Sequence, residues 1–193
     1  MTAPTRVVVA EDEAIIRLDL VEILRDEGYE VVAETGRGDE AVELVAKFQP
    51  EIALLDVKMP GLDGIEATRA IADDGRTAVV LLTAFSQRDL VERATDAGAM
   101  AYLVKPYQRA ELVPAIETAL ARFRELRALG AQVGELADQL EIRKLVDRAK
   151  GRLIDDHGMS EAEAFRFLQQ SAMSSRRTMG EAATDVLAGT LVP

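Results

Sequence analysis

The 193-residue sequence has no cysteine, which excludes disulfides and thiolate metal sites. It has one histidine, His157, too few for a histidine metal cage or for a Ser–His triad built within one chain. No apolar run approaches the roughly 20 residues of a membrane span, and the amino terminus lacks a signal-peptide pattern. The expected location is therefore the cytoplasm, with no membrane partner. In the carboxyl-terminal third there is no Rossmann or Walker glycine pattern and no nucleophile paired with a base. What is present is a hydrophobic share of 48%, enough for a globular core and against wholesale disorder. The length suits one large domain or two small ones.

Charge is unevenly placed. The net charge is -11, but residues 1–124 hold 14 Lys+Arg against 23 Asp+Glu, a net -9, and residues 125–193 hold 9 against 11, a net -2. Within the second part, Arg143, Lys144, Arg148, Lys150 and Arg152 face Asp147 alone between residues 143 and 154, a local +4. The acidic total does not exclude a polyanion as partner of the second part.

The first part reads as five strand–helix units. Arg6 to Ala10, Tyr29 to Ala33, Ile52 to Asp56, Val79 to Thr83 and Ala101 to Val104 read as strands. Helical patterns follow each: Ala14 to Glu27 with Ile15, Leu18, Ile23 and Leu24 apolar, Asp39 to Phe48, Gly64 to Ala72, a helix opened by Ser86 with Asp89 three places on, and a helix from Glu111. Alternation of this kind calls for a parallel α/β sheet, doubly wound with helices on both faces. The carboxyl ends of parallel strands share one edge, where such sheets bind ligands. There the sequence puts Glu11, Asp12, Asp56, Thr83 and Lys105. Two carboxylates about 4 Å apart repel by roughly 4 kcal/mol at an effective dielectric of 20. Converging acids therefore need a cation, and an oxygen-only donor set favours Mg2+. Thr83 offers a hydroxyl donor and Lys105 a compact positive charge, which suits a phosphoryl group on Asp56.

These residues resemble a family. Glu11-Asp12, Asp56 with Met59-Pro60-Gly61 and Asp63-Gly64, Thr83-Ala84 and Lys105-Pro106 make residues 6 to about 122 similar to the receiver domain of two-component response regulators. The resemblance implies a flavodoxin-like sheet of order 2-1-3-4-5 and phosphorylation of Asp56 by a sensor histidine kinase. It implies Mg2+ held by Asp12 and Asp56, with Glu11 helping through water and the backbone carbonyl of Lys58 as a further ligand. Thr83 and Lys105 would hold the phosphoryl oxygens, and Lys105-Pro106 would be cis. Tyr102 matches an aromatic switch position whose ring reorients as Thr83 moves. Tyr107 stands where the family commonly has Phe.

Past the receiver, Leu112, Ile116, Ala119, Phe123 and Leu126 form a heptad seam, continued with a phase change by Leu129, Val133, Leu136 and Leu140. The expected domains are a receiver over 1–122, a coiled-coil connector over 123–140 interruptible at Gly130 and Gly134, and a three-helix all-α domain over 141–193. An amphipathic helix folding back on the receiver is the alternative for the connector. In the last domain a helix from Glu141 to Asp156 ends at His157-Gly158. Ser160 with Glu163 and Thr178 with Glu181 form capping boxes for two more. Ala164, Phe165, Leu168 and Ala172 are expected to be the apolar stripe of the middle helix.

Leu140, Arg143, Val146, Ala149-Lys150-Gly151, Leu153, His157-Gly158-Met159-Ser160, Ala164-Phe165, Leu168 and Ala172-Met173 make this segment similar to the ANTAR domain, the RNA-binding output module of transcription antitermination regulators. The resemblance implies that RNA hairpin loops are contacted by Lys150 and its neighbours Arg143, Lys144, Arg148, Ala149, Gly151 and Arg152, with Arg176 and Arg177 nearby. Receiver first and ANTAR last resembles the phosphorylation-dependent antitermination regulators of actinobacteria. It implies a phosphoacceptor rather than a turnover enzyme, with at most slow Mg-dependent autophosphorylation and autodephosphorylation. Its partners would be a sensor histidine kinase, hairpins in nascent mRNA and a second copy in a phosphorylation-linked homodimer. The alternative is a receiver whose helical output docks on protein and never touches RNA.

Overall fold

The structure is a computed structural model describing residues 3–84 and 88–193, with the side chain of Arg88 left aside. The chain divides into two compact units, residues 1–127 and 128–193. The first unit alternates β1 (Arg6–Ala10), α1 (Ala14–Asp26), β2 (Glu30–Thr35), α2 (Gly38–Phe48), β3 (Ile52–Asp56), α3 (Gly64–Asp74), β4 (Ala78–Thr83), α4 (Arg88–Asp96) and β5 (Ala101–Val104). All five strands are parallel, in the order β2-β1-β3-β4-β5. The fold is the expected α/β doubly wound sheet.

Burial explains why the central strands read as unbroken apolar runs. Every residue of β3 and β4 is buried, whereas the edge strand β5 alternates between half-buried and exposed. A strand covered on both faces has no solvent side to mark with polar residues. Successive side chains split between two cores. Val7, Val9, Ile52, Leu54, Val80 and Leu82 pack with α1 and with Leu112, Ile116 and Leu120 of the last helix of the unit. Val8, Ala53, Leu55, Val79 and Leu81 pack with α2, α3 and α4.

Two of the four apolar residues named for α1 do not face the sheet. Its sheet-facing residues are Leu20, Val21 and Leu24, while Ile15 and Leu18 are exposed. At about 100° per residue the last two lie on the opposite side of the helix from Leu20. The Ser86 capping box expected to open α4 lies outside the described residues.

Helix α5 (Arg109–His157) runs without interruption through the expected connector and the first helix of the output domain. Gly130 and Gly134 do not break it. Pro114 sits five residues past its start, where the missing N–H leaves one carbonyl of the first turn without its helical donor. Along the middle of α5 the seam residues Leu126, Leu129, Val133, Leu136 and Leu140 are each more than half exposed.

The second unit is three-helical: the end of α5, α6 (Glu161–Ser175) and α7 (Met179–Ala188). Ser160–Glu163 and Thr178–Glu181 close the expected capping boxes at the starts of α6 and α7. Ala149, Leu153, Ala164, Leu168, Ala172, Ala183 and Val186 form its core. Phe165, expected in the apolar stripe, is instead 45% exposed. The stripe that faces the core needs only Ala164, Leu168 and Ala172, spaced by four.

Candidate functional site

Four of the five strands, β1, β3, β4 and β5, bring residues at or just past their carboxyl ends to one cleft. Glu11 follows β1 and is fully buried, Asp12 stands exposed beside it, and Asp56 and Thr83 end β3 and β4 as buried polar groups. Lys105 follows β5, held by its backbone N–H donating to the Thr83 carbonyl at 2.7 Å. A cleft of about 580 Å³ is lined by Asp12, Asp56, Lys58, Thr83, Ala84 and Lys105, among others. The Lys105–Pro106 bond is cis.

The turn after Asp56 depends on a residue without a side chain. Gly64 donates its N–H to the Val57 carbonyl at 2.9 Å, and a Cβ there would run into the backbone carbonyl of Asp56. Glycine lets the amino end of α3 press against the strand end that carries Asp56. Asp63 caps the same helix, accepting from the N–H groups of Ile65 at 2.9 Å and Glu66 at 2.8 Å. The Met-Pro-Gly-x-Asp-Gly stretch is thus the scaffold that fixes the aspartate.

Electrostatics hold the cleft together. One carboxylate oxygen from each of Glu11, Asp12 and Asp56 lies within 4.8 Å of the others. The Lys105 ammonium donates to Glu11 and pairs with Asp56 Oδ1 at 2.8 Å. Asp56 Oδ2 accepts from the Lys58 N–H at 3.1 Å. Burial pushes the Glu11 carboxyl up, against the pull of Lys105, and neighbouring Asp56 adds to the rise. Burial by itself would lower the Lys105 ammonium, but Asp56 and Glu11 outweigh it and raise it. The lysine therefore stays charged, serving two acids that no longer have bulk water.

Tyr102 and Thr83 meet across a second, apolar space. With Val57, Leu81, Leu90, Val91 and Ala94 they line a pocket of about 10 Å³, room for at most about one water. The Tyr102 ring is 46% exposed.

In the second unit the basic residues separate into two groups. Lys150 Nζ pairs with Asp147 at 2.8 Å and Glu161 at 3.0 Å. Lys144 pairs with Glu141, Arg152 with Asp156 and the Leu187 carbonyl, and Arg177 with Asp185. Arg143, Arg148 and Arg176 make no ion pair among the described residues. Arg176 ends α6 in the left-handed region, at φ 53°. Ala149, expected to touch RNA, is fully buried. Its methyl packs in the core with α6 and α7, so it fixes helix spacing and offers nothing to a ligand. Gly151 is half-buried, and a Cβ there would meet open space.

Comparison with known proteins agrees with this geometry. The response regulator receiver domain model matches residues 7–117 and the ANTAR domain model residues 134–187. The transcriptional regulatory protein PdtaR of Mycobacterium tuberculosis is 57% identical over 184 residues, 95% of this chain and 90% of that protein. The chain belongs to the response regulators. This regulator carries ANTAR, an RNA-binding module, as its output. Chemotaxis protein CheY of Bacillus subtilis is 34% identical over 116 residues, 60% of the regulator and 97% of CheY. Among solved structures, the signal receiver domain of NarL from Mycobacterium tuberculosis superposes with TM-score 0.60 at 33% identity, covering 62% of the regulator and 98% of that chain. CheY in a CheX–CheY–BeF3–Mg2+ complex from Borrelia burgdorferi superposes with TM-score 0.57 at 28% identity, covering 58% and 87%.

The regulator's acid cluster fits the hard cation expected of its family. Three carboxylates converge with no nitrogen or sulfur donor among them, and one, Asp12, is open to solvent. That donor set suits Mg2+, which keeps part of its water shell. Some contributors were not legible in the sequence. The Arg17 guanidinium donates to the Glu11 carbonyl, tying α1 to the acid pair, and the Glu13 N–H donates to Glu11 Oε1 at 3.3 Å. No spacing rule points to either. Among the described residues, no helix is long and apolar enough to cross a membrane.

Proposed function

We propose that this response regulator accepts a phosphoryl group on Asp56 from a sensor histidine kinase and then binds paired RNA hairpins in nascent mRNA, acting in the cytoplasm as a transcription antiterminator. One observation carries the reading: Asp56, Glu11, Asp12, Thr83 and Lys105 share the carboxyl edge of one sheet in a chain that ends in an ANTAR domain. In the transfer, an Asp56 carboxylate oxygen bonds to phosphorus as the bond from phosphorus to the donor's imidazole nitrogen breaks, the electron pair leaving with the imidazole. The Lys105 ammonium, already on Asp56, follows the added negative charge, and the Thr83 hydroxyl donates to the same oxygens. Asp12, Asp56 and the Lys58 carbonyl, with Glu11 helping through water, would hold Mg2+, which would supply neutralisation of that charge. The chain is a phosphoacceptor, not a turnover enzyme, with at most slow autophosphorylation and autodephosphorylation.

The output follows from movement at Thr83. The Tyr102 pocket is too small as it stands, so inward movement of the ring must be coupled to Thr83 or α4. Exposure of the α5 seam supports a homodimer formed by two such helices, linked to phosphorylation. The test is hairpin affinity of the full chain with and without acetyl phosphate and Mg2+. Affinity should rise on phosphorylation for the native chain and stay flat for Asp56→Ala. Equal affinities throughout would sink the switch.

A second reading is favoured by a specific observation: Lys144, Lys150, Arg152 and Arg177 spend their charge on carboxylates of their own unit. A helical output that docks on protein would need no free basic face. Arg148→Ala separates the two. If the Arg148 guanidinium sits on an RNA phosphate, the variant should bind hairpins more weakly and with a salt slope reduced by about one. Protein docking should leave both unchanged.

A further inference from the structure

Helix α6 buries one stripe in the core and leaves a second, mixed stripe exposed. Ala164, Leu168 and Ala172 are buried. Ala162, Phe165, Arg166, Gln169 and Met173 recur at i, i+3, i+4, i+7 and i+11, which places them along one line on the helix surface. All five are exposed, Phe165 by 45% and Met173 by 74%. Arg166 makes no ion pair or hydrogen bond among the described residues, although its charge is felt by Glu163 one turn earlier. An aromatic face, a guanidinium and a carboxamide side by side are the groups with which proteins hold bases splayed from single-stranded loops.

We propose that this α6 stripe is a base-stacking surface for the hairpin loop. Phe165 takes a base on its ring, Arg166 stacks or reaches the adjoining phosphate, and Gln169 meets a base edge. The proposal rests on the RNA-binding reading of the ANTAR domain and adds to it a site that is not the basic segment of α5. The charge balance favours RNA over a second copy as occupant. Two apolar side chains flanking an unpaired cation make a poor helix–helix seam, since dimer cores are depleted of charge and bury about 800 Å² per partner.

The experiment uses the full chain treated with acetyl phosphate and Mg2+, and a pool of two-hairpin RNAs with randomised loops. RNAs retained by the native chain are remade with single loop bases replaced by abasic sites. Phe165→Leu should lose roughly tenfold in affinity for the intact loop, Phe165→Tyr should retain it, and the abasic substitution at the stacked position should erase the difference between native and Leu variants. Sedimentation and thermal melting of both variants should match the native chain. If Phe165→Leu binds as the native chain does, the stripe is not the site. If it loses RNA only in step with loss of the dimer, the stripe is a copy-to-copy interface and the proposal fails. Failure of the native chain to retain any RNA would instead overturn the RNA-binding reading on which the proposal rests.

Discussion

Tyr107 exposes a tension inside the receiver core. Its hydroxyl is buried and, among the described residues, has no hydrogen-bond partner. Burial pushes its pKa far up, and the charges of Glu11, Asp19 and Asp56 push the same way. The phenol therefore stays neutral, a donor left without an acceptor. An unmet buried donor costs about 1–3 kcal/mol, while the ring itself packs with the cluster around Leu112 and Ile116. Tyr107→Phe keeps the ring and removes the unmet group. It should raise the receiver's urea midpoint by the equivalent of about 1 kcal/mol with an unchanged m-value; a lower midpoint would mean that the hydroxyl serves a partner. Other residues divide by how local their roles are. Asp56, Glu11, Asp12, Thr83 and Lys105 were legible in the sequence because each ends a strand in a pattern only a parallel sheet explains. The partners that neutralise Lys150 were not legible. Asp147 lies three residues away in the helix, but Glu161 belongs to the next helix, and its meeting with Lys150 is decided by packing.

Elements of the second unit owe their starts to titratable caps. Glu163 is held below the usual carboxylate range first by hydrogen bonds from the Ser160 side chain, then from its backbone. Glu181 is held down first by the Thr178 N–H, then by its hydroxyl. A carboxylate with a depressed folded pKa contributes stability that is full above its unfolded pKa, near 4.5, and is lost as pH falls through the folded value. Helicity of the second unit should therefore weaken below about pH 4.5. Glu163→Gln with Glu181→Gln, which preserves the box without the charge, should flatten that fall in circular dichroism. Helix α5 poses the opposite question at Gly151, where glycine has no steric excuse. Gly151→Ala should stabilise the helix by about 0.5–1 kcal/mol. If RNA approaches closely there, the same variant should melt higher yet bind hairpins more weakly. An unchanged affinity would show that the glycine does not touch RNA.

At the scale of the whole molecule, the sequence already carried the order of receiver, long helix and output module, since short apolar runs alternating with helical patterns give way to helical patterns alone along it. It also carried helical periodicity running on from Glu111 without a convincing stop, with Gly130 and Gly134 as the places where that helix could be interrupted. Gly130 and Gly134 lower helix propensity by up to about 1 kcal/mol each, yet the helix persists through both, because propensity is a weak prior over so many turns. The consequence is a run of exposed leucine and valine, from Leu126 to Leu140, that a single chain leaves in water. Burying that seam against a second copy would bring two ANTAR domains to one RNA. Tethering two modules raises overall affinity by about 10²–10⁴ without any new contact. Paired hairpins would then be the preferred ligand on geometric grounds, and single hairpins a weak one. Val133→Glu with Leu136→Glu places like charges on facing seam positions while leaving Asp56 and the output core intact. The variant should accept phosphate from acetyl phosphate at the native rate, remain a monomer in sedimentation, and lose at least about a hundredfold in affinity for paired hairpins. Its affinity for a single hairpin should be unchanged. Loss on single and paired hairpins alike would mean that the seam shapes the binding surface itself, and native behaviour on both would remove the dimer from the mechanism.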